Sequence, residues 1–207
     1  MQITDIHQTS PGRLTVILGD GTEVKSTLGV ITDMRLYSGR ALDTADVEEL
    51  KAASIRALAR EKALEYLSRR QMSCAELKKK LIEKGEDEAV ADYCVQWLEE
   101  HSLIDDESYA AAVARHYSAK GYGAGRVRAE LSRRGISREL WDGALDAMPE
   151  SNDKIDRFIA SRLKDPDDRD AVRKLSQALY RRGYSWDEIR HALERHKAET
   201  DYYEQST

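Results

Sequence analysis

Arg126-Val127-Arg128-Ala129-Glu130-Leu131-Ser132-Arg133-Arg134-Gly135-Ile136-Ser137 reads as a basic helix, a glycine stop, one apolar residue and a serine able to start another helix. The same order occurs downstream as Lys174-Leu175-Ser176-Gln177-Ala178-Leu179-Tyr180-Arg181-Arg182-Gly183-Tyr184-Ser185. It occurs upstream as Glu76-Leu77-Lys78-Lys79-Lys80-Leu81-Ile82-Glu83-Lys84-Gly85-Glu86-Asp87. The glycines lie 135 − 85 = 50 and 183 − 135 = 48 residues apart. A recurrence of that length marks stacked supersecondary units, each too small to bury its own apolar face.

Each copy extends to both sides. In the first unit Thr44 or Asp46 caps a long helix with Leu50, Ile55, Leu58, Leu64 and Leu67 as its apolar positions. Ser73 and Glu76 form a capping box for the basic helix, and Asp87 caps a third helix that places Val90, Cys94, Trp97 and Leu98 inside. In the second unit an aspartate of Asp105-Asp106 caps a helix carrying Tyr109, Val113 and Tyr117, and Gly121-Tyr122-Gly123 breaks it. The basic helix Ala124–Arg134 follows, and Ser137 caps a helix with Leu140, Ala144 and Leu145. The third unit starts near Ser151, with Ile155, Phe158, Ile159 and Leu163 inward. It turns at Asp165–Asp168 and closes with a capping box, Ser185 and Glu188, before Ile189, Ala192 and Leu193. Two helices joined by glycine, one residue and a cap have helix-turn-helix geometry.

Residues 1–26 follow a different period. Ile3–Ile6 and Leu14–Leu18 alternate in part, and Gly19-Asp20-Gly21 suits a hairpin returning through Thr22–Lys25. About three strands and a short helix from Leu28 to Met34 are expected. The fold expected is mainly α: an elongated array of three tandem three-helix, helix-turn-helix-like repeats with a small N-terminal β-rich segment. The boundaries are 1–45 for that segment, 46–102, 103–149 and 150–198 for the repeats, and 199–207 for a tail that frays.

Composition limits the function. The 207 residues carry 34% charged side chains, three prolines and a net charge of −5, so the chain is no simple polycation. The charge is sorted, however: residues 124–138 hold five arginines against one acid, and residues 86–107 hold nine acids without Lys or Arg. Cys74 and Cys94 suit free thiols rather than a disulfide framework. No run approaches the ~20 apolar residues of a membrane span, and the opening residues lack the pattern of a secretory signal, so a cytoplasmic protein is expected. His7, His101, His116, His191 and His196 do not cluster with the cysteines, and Gly121-Tyr122-Gly123-Ala124-Gly125 follows a helix rather than a strand. No catalytic residue, metal site or cofactor is expected.

The chemistry-bearing residues are the cations of the three basic helices: Lys78, Lys79 and Lys80; Arg126, Arg128, Arg133 and Arg134; Arg173, Lys174, Arg181 and Arg182. Cations in a last turn complement the helix dipole by about 0.3–1 kcal/mol each. That explanation covers Lys84, Arg133, Arg134, Arg181 and Arg182; it leaves Lys78–Lys80, Arg126, Arg128, Arg173 and Lys174. Stacked in register, the three stripes would form one basic track suited to phosphates. Trp97 and Trp141 suit packing, whereas Trp186 follows a cap and is expected to be partly exposed. Tyr117, Tyr122, Tyr180 and Tyr184 lie near arginines, where they either pack or stack on bases.

The triplicated unit, Leu103-Ile104-Asp105-Asp106 followed by Tyr109-Ala110, and Glu130-Leu131-x-x-Arg134-Gly135-Ile136 resemble the RecX family, over about residues 60 to 195. Where family members often have Gly-Pro before the central basic helix, this chain has Gly123-Ala124. The resemblance implies a non-enzymatic regulator acting in homologous recombination, DNA repair and the SOS response. It would be a monomer that binds RecA and the RecA–DNA filament, with possible direct DNA contact, and restrains ATPase, strand exchange and filament growth. The alternative is a helix-turn-helix reader of duplex sequence. Against it, the helix after the first turn is acidic (Glu86, Asp87, Glu88, Asp92) and the basic residues precede the turns.

Overall fold

Three strands, β1 (Ile3–Ser10), β2 (Arg13–Leu18) and β3 (Glu23–Thr27), pair as an antiparallel meander in the order β1-β2-β3. This computed structural model describes residues 1–149 and 152–205. Pro11-Gly12 makes the first turn, with Gly12 at φ +78. In the second turn Asp20 accepts from the Thr22 N–H at 2.9 Å. Val16, Leu18 and Val24 are buried between the sheet and the helices that follow it. The first of these, α1 (Leu28–Asp33), is capped by Thr27.

The long helix α2 (Thr44–Arg69) starts one residue earlier than expected. Asp43 is its cap, and Asp43 and Asp46 exchange backbone bonds as a capping box. Its apolar pattern also differs. Leu50 is buried, but Ile55 and Leu64 are 49% and 40% exposed, and Leu58 and Leu67 are half-buried. Small residues take the buried positions: Ser54 hydrogen-bonds Ser26 of β3 at 2.8 Å, and Ala57, Ala59 and Ala63 are buried. The helix packs on the sheet and on α4 at once, so two narrow faces of small residues replace one stripe of large ones.

α3 (Cys74–Glu83) and α4 (Glu88–Glu100) complete the first three-helix unit. Asp87 stands at the cap of α4 without a side-chain cap bond. Cys94 and Leu98 are buried, and Val90 and Trp97 are half-buried. Burial pushes the Cys94 thiol up to about 11, so little thiolate is present at neutral pH. A Cys74→Ser protein should resist thiol labelling at pH 7.5 until denaturant is added; fast labelling of the folded form would contradict this burial.

The second set comprises α5 (Asp106–Ala119), α6 (Ala124–Arg133), a 3-10 turn at Arg138–Leu140, and α7 (Trp141–Asp146). Asp105 caps α5, accepting from Glu107 and Ser108. Ser137 makes no cap bond, and the helix expected after it is a 3-10 turn followed by six α-helical residues. The third set comprises α8 (Asn152–Ala160), α9 (Arg169–Arg181) and α10 (Trp186–Gln205). Its expected start near Ser151 lies outside the described residues. Asp168 caps α9, and Ser185 and Glu188 form the expected capping box: Ser185 N–H donates to the Glu188 carboxylate at 2.7 Å, and Glu188 N–H to the Ser185 hydroxyl at 3.2 Å. The tail expected to fray continues as helix to Gln205. The chain is thus mainly helical, with a small three-stranded sheet followed in sequence by three three-helix sets.

The three recurring turns share one bonding pattern. Each glycine is left-handed, at φ +93, +69 and +92 for Gly85, Gly135 and Gly183. The next N–H returns to the carbonyl of Leu81, Leu131 or Leu179, at 3.1, 3.1 and 3.3 Å. This is a Schellman closure, and its three leucines are fully buried. Two compact units result: residues 1–72 with 76–104, and residues 73–75 with the chain from 105 onward.

Candidate interaction surface

Within the second unit, two small cores lie side by side. One holds Tyr109, Val113, Val127, Leu131 and Ile136; the other holds Ile155, Ile159, Leu175, Leu179 and Ile189. They are joined through backbone. The Gly123 N–H donates to the Arg182 carbonyl at 3.0 Å, and the Gly125 N–H to the Gly183 carbonyl at 2.9 Å. The free N–H groups that begin α6 are thereby satisfied by the carbonyls that end α9. A Cβ on Gly123 would stand 2.5 Å from the Gly183 oxygen. Gly123 and Gly125 are therefore a docking surface for another backbone, while Gly121, at φ +76, serves the turn before them. Alanine at 124, in place of proline, still opens the helix there.

Residues 73–75 pack in the same unit. The Ser73 hydroxyl donates to the Arg134 carbonyl and the Cys74 N–H to Asp106 at 2.9 Å. In the first unit the Glu76 carboxylate accepts from Arg70 at 3.3 Å.

The structure sorts the eleven basic residues into three groups. Arg133, Arg134, Lys78 and Arg182 are occupied internally. Glu130, only 4% exposed, takes Arg133 Nε at 3.1 Å and Arg134 Nε at 2.9 Å. Hydrogen bonds from Arg133 and then Arg134 hold its carboxyl down to about 2. Arg134 also bonds the Tyr109 hydroxyl. Lys78 is held between Asp92 at 2.7 Å and Glu88 at 3.0 Å, and hydrogen bonds to these carboxylates raise its pKa. Arg182 donates to the Gly121 carbonyl at 3.3 Å and lies over Phe158.

Lys79, Lys80 and Arg173 are intermediate. Lys79 is 3.9 Å from Glu83, Arg173 is 3.0 Å from Asp170, and Lys80 lies over the Tyr66 ring at 4.7 Å. Exposed pairs of this kind contribute little.

Arg126, Arg128, Lys174 and Arg181 are exposed and have no carboxylate partner among the described residues. Arg126, Arg128 and Arg181 line one cleft of about 420 Å³ with Tyr180 and Ser185. Lys174 precedes Arg181 by seven residues, which puts both on one face of α9. Beside the cleft Tyr180 stacks on Trp186 with ring centroids 5.0 Å apart, and both rings are more than half exposed. Trp97 and Trp141 are half-buried, Tyr184 is buried, and the half-buried Tyr122 lies under Arg126 at 5.9 Å; among the described residues the Tyr180–Trp186 pair is the most open aromatic face near these cations.

Among the described residues no group of His, Cys, Asp or Glu is placed to hold a metal ion, and no helix is long and apolar enough to cross a membrane.

Family models for the first, second and third three-helix domains of RecX match residues 59–98, 105–145 and 159–193, together more than half of the chain. The chain belongs to the RecX family. Its relatives include the regulatory protein RecX of Vibrio parahaemolyticus, 30% identical over 138 residues that span 65% of this chain and 88% of that one. The RecX of Bacillus licheniformis is 29% identical over 196 residues, 92% of this chain and 73% of that one. A crystal structure of a regulatory protein RecX superposes with a TM-score of 0.75 at 25% identity, covering 93% of this chain and 98% of the other. A RecX structure from Lactobacillus salivarius shares the fold, with a TM-score of 0.64 at 22% identity over 70% of this chain and 99% of that one.

Proposed function

We propose that this protein is a non-enzymatic regulator of RecA that binds the RecA–DNA filament. It restrains ATPase activity, strand exchange and filament growth, and its contacts run through Arg126, Arg128 and Arg181 with Lys174 beside them. The observation that carries this is the cleft in which Arg126, Arg128 and Arg181 form no ion pair among the described residues, its one lining carboxylate, Glu188, being engaged by Ser185: cations left uncompensated on a folded surface are free to meet phosphates or carboxylates. Membership of a family of regulatory proteins supports the role. The repeat boundaries 46–102, 103–149 and 150–198 belong to the same proposal, as does a cytoplasmic site of action.

A helix-turn-helix reader of duplex sequence is less well supported. In the second three-helix set the helix after the turn is six residues long, under two turns, and offers little to a major groove.

The test is RecA ATPase on single-stranded DNA, with co-sedimentation, for the native protein and for Arg126→Ala/Arg128→Ala/Arg181→Ala. At about 1 kcal/mol per lost charge-assisted contact, the triple variant should bind filaments on the order of a hundredfold more weakly while its circular dichroism stays native. Unchanged binding by a folded variant would remove the cleft from the interface. A native protein that neither inhibits nor co-sediments would remove RecA as the target.

A further inference from the structure

Arg182 and Gly121 meet at the joint between the two cores, and they also line a second hollow of about 280 Å³ on the same unit. Its walls carry Lys120, Lys154, Arg157, Arg162 and Arg182 around Phe158, with no carboxylate among the described lining residues. None of these five cations forms an ion pair among the described residues. Lys154 donates to the Ser118 carbonyl at 2.8 Å, Arg157 to the Asp153 carbonyl at 3.0 Å, and Arg162 to the Ser161 hydroxyl at 3.1 Å. The guanidinium groups of Arg162 and Arg182 lie over the Phe158 ring at 4.0 and 4.4 Å. Stacking holds those planes in place and leaves N–H edges available.

Helix dipoles account for part of this charge. Lys120 caps the C-terminus of α5, Arg157 is in the last turn of α8, and Arg182 caps α9. Three helix ends at about −0.5 each supply about −1.5. Five cations therefore leave about +3.5 to be met from outside.

We infer that this hollow is a phosphate-binding subsite for a nucleic-acid strand, separate from the Arg126–Arg128–Arg181 cleft. Its size suits one or two phosphate groups, and fixed guanidinium edges suit phosphate oxygens. A strand backbone fits better than a free oligophosphate because Arg182 lines this hollow while its neighbour Gly183 lines the cleft. The exposed Tyr180–Trp186 pair offers bases of such a strand a stacking face. The inference does not require RecA.

The test uses the full chain without RecA. Anisotropy of a fluorescein-labelled oligothymidylate is measured against salt for the native protein and for Lys120→Gln/Arg157→Gln/Arg162→Gln, three exposed positions. Each lost phosphate contact lowers the salt slope by about 0.7, so the triple variant should lose about 2 and bind roughly a hundredfold more weakly near 0.1 M salt. Arg157→Glu, which leaves the Phe158 stack intact, keeps the test open if the triple variant does not fold. Inorganic tripolyphosphate should displace the strand more effectively than a glutamate-rich peptide of equal charge. Unchanged affinity and slope in a folded variant would overturn the inference, as would a peptide that competes equally well. Loss of tripolyphosphate binding with strand binding intact would overturn the strand as occupant.

Discussion

Glu130→Gln should cost about 3 kcal/mol near neutral pH and almost nothing near pH 2. The carboxyl titrates at about 2 in the folded chain against an ordinary 4.5, and each unit is worth about 1.36 kcal/mol. Because the folded value is the lower one, the native protein's advantage is complete above about pH 4.5. It fades as pH falls and is gone once the folded group is protonated near 2. Glutamine cannot titrate, so the two proteins should converge in acid. The structural cause is the placement of the carboxylate. Glu130 is buried and pairs at 2.9 Å with Arg134, whose side chain is only 19% exposed. Removing one member of a buried pair typically costs about 3–5 kcal/mol, which agrees with the titration figure. Urea unfolding followed by circular dichroism at several pH values checks this. A difference that stays flat with pH would show that the Glu130 fork contributes no net charge stabilisation. Glu130 lies outside the Arg126–Arg128–Arg181 cleft, so filament binding should not fall at temperatures where the variant is folded.

The turns were the most legible part of the sequence. Gly85, Gly135 and Gly183, with a leucine four residues before each, encode a backbone closure that depends on local residue types. That is why the three-helix sets could be read from spacing. Helix lengths were less legible where neighbours decide them. Ser137 is a plausible cap, yet Trp141 donates its ring N–H to the Ile136 carbonyl at 3.0 Å and the segment between them tightens to a 3-10 turn. The interior of α2 misled for another reason: large apolar residues mark a buried stripe only when one face is buried, and this helix buries two faces of alanine and serine. Among the cations, sequence could identify basic helices but not which side chains are already occupied. Lys78 finds its acids ten and fourteen residues away on α4, beyond any helical spacing rule. The second hollow was hidden because Lys120 ends α5 whereas Lys154, Arg157 and Arg162 lie on or just after α8, spaced three and five residues apart and without a basic run.

The opposite error was to set the Gly121–Gly125 run aside, and its meaning supplies the second large effect. Gly183→Ala should destabilise the protein by about 4 kcal/mol or more, and Gly85→Ala by only about 1–2 kcal/mol, although both glycines have the same left-handed backbone, at φ +92 and +93. The backbone cost for alanine is shared. The surroundings are not: a Cβ at Gly85 meets nothing within 4 Å, whereas one at Gly183 would lie 2.1 Å from the Arg126 nitrogen and 2.8 Å from its Cβ. Relief of that overlap requires the start of α6 to withdraw from the end of α9. The Gly123–Arg182 and Gly125–Gly183 bonds are then lost, at about 1 kcal/mol each. Gly135→Ala should fall between the two, since its Cβ would stand 2.6 Å from the Ala75 methyl, a side-chain atom rather than backbone. Equal costs for Gly183→Ala and Gly85→Ala in thermal unfolding would show that the joint tolerates separation. The joint also sets the spacing of Arg126 and Arg128 on one helix against Arg181 on the other. Gly183→Ala should therefore weaken filament binding even where circular dichroism reports a folded chain, while Gly85→Ala should leave it unchanged. Binding lost equally in both variants would point instead to global destabilisation, and would separate the cleft from the joint that holds it.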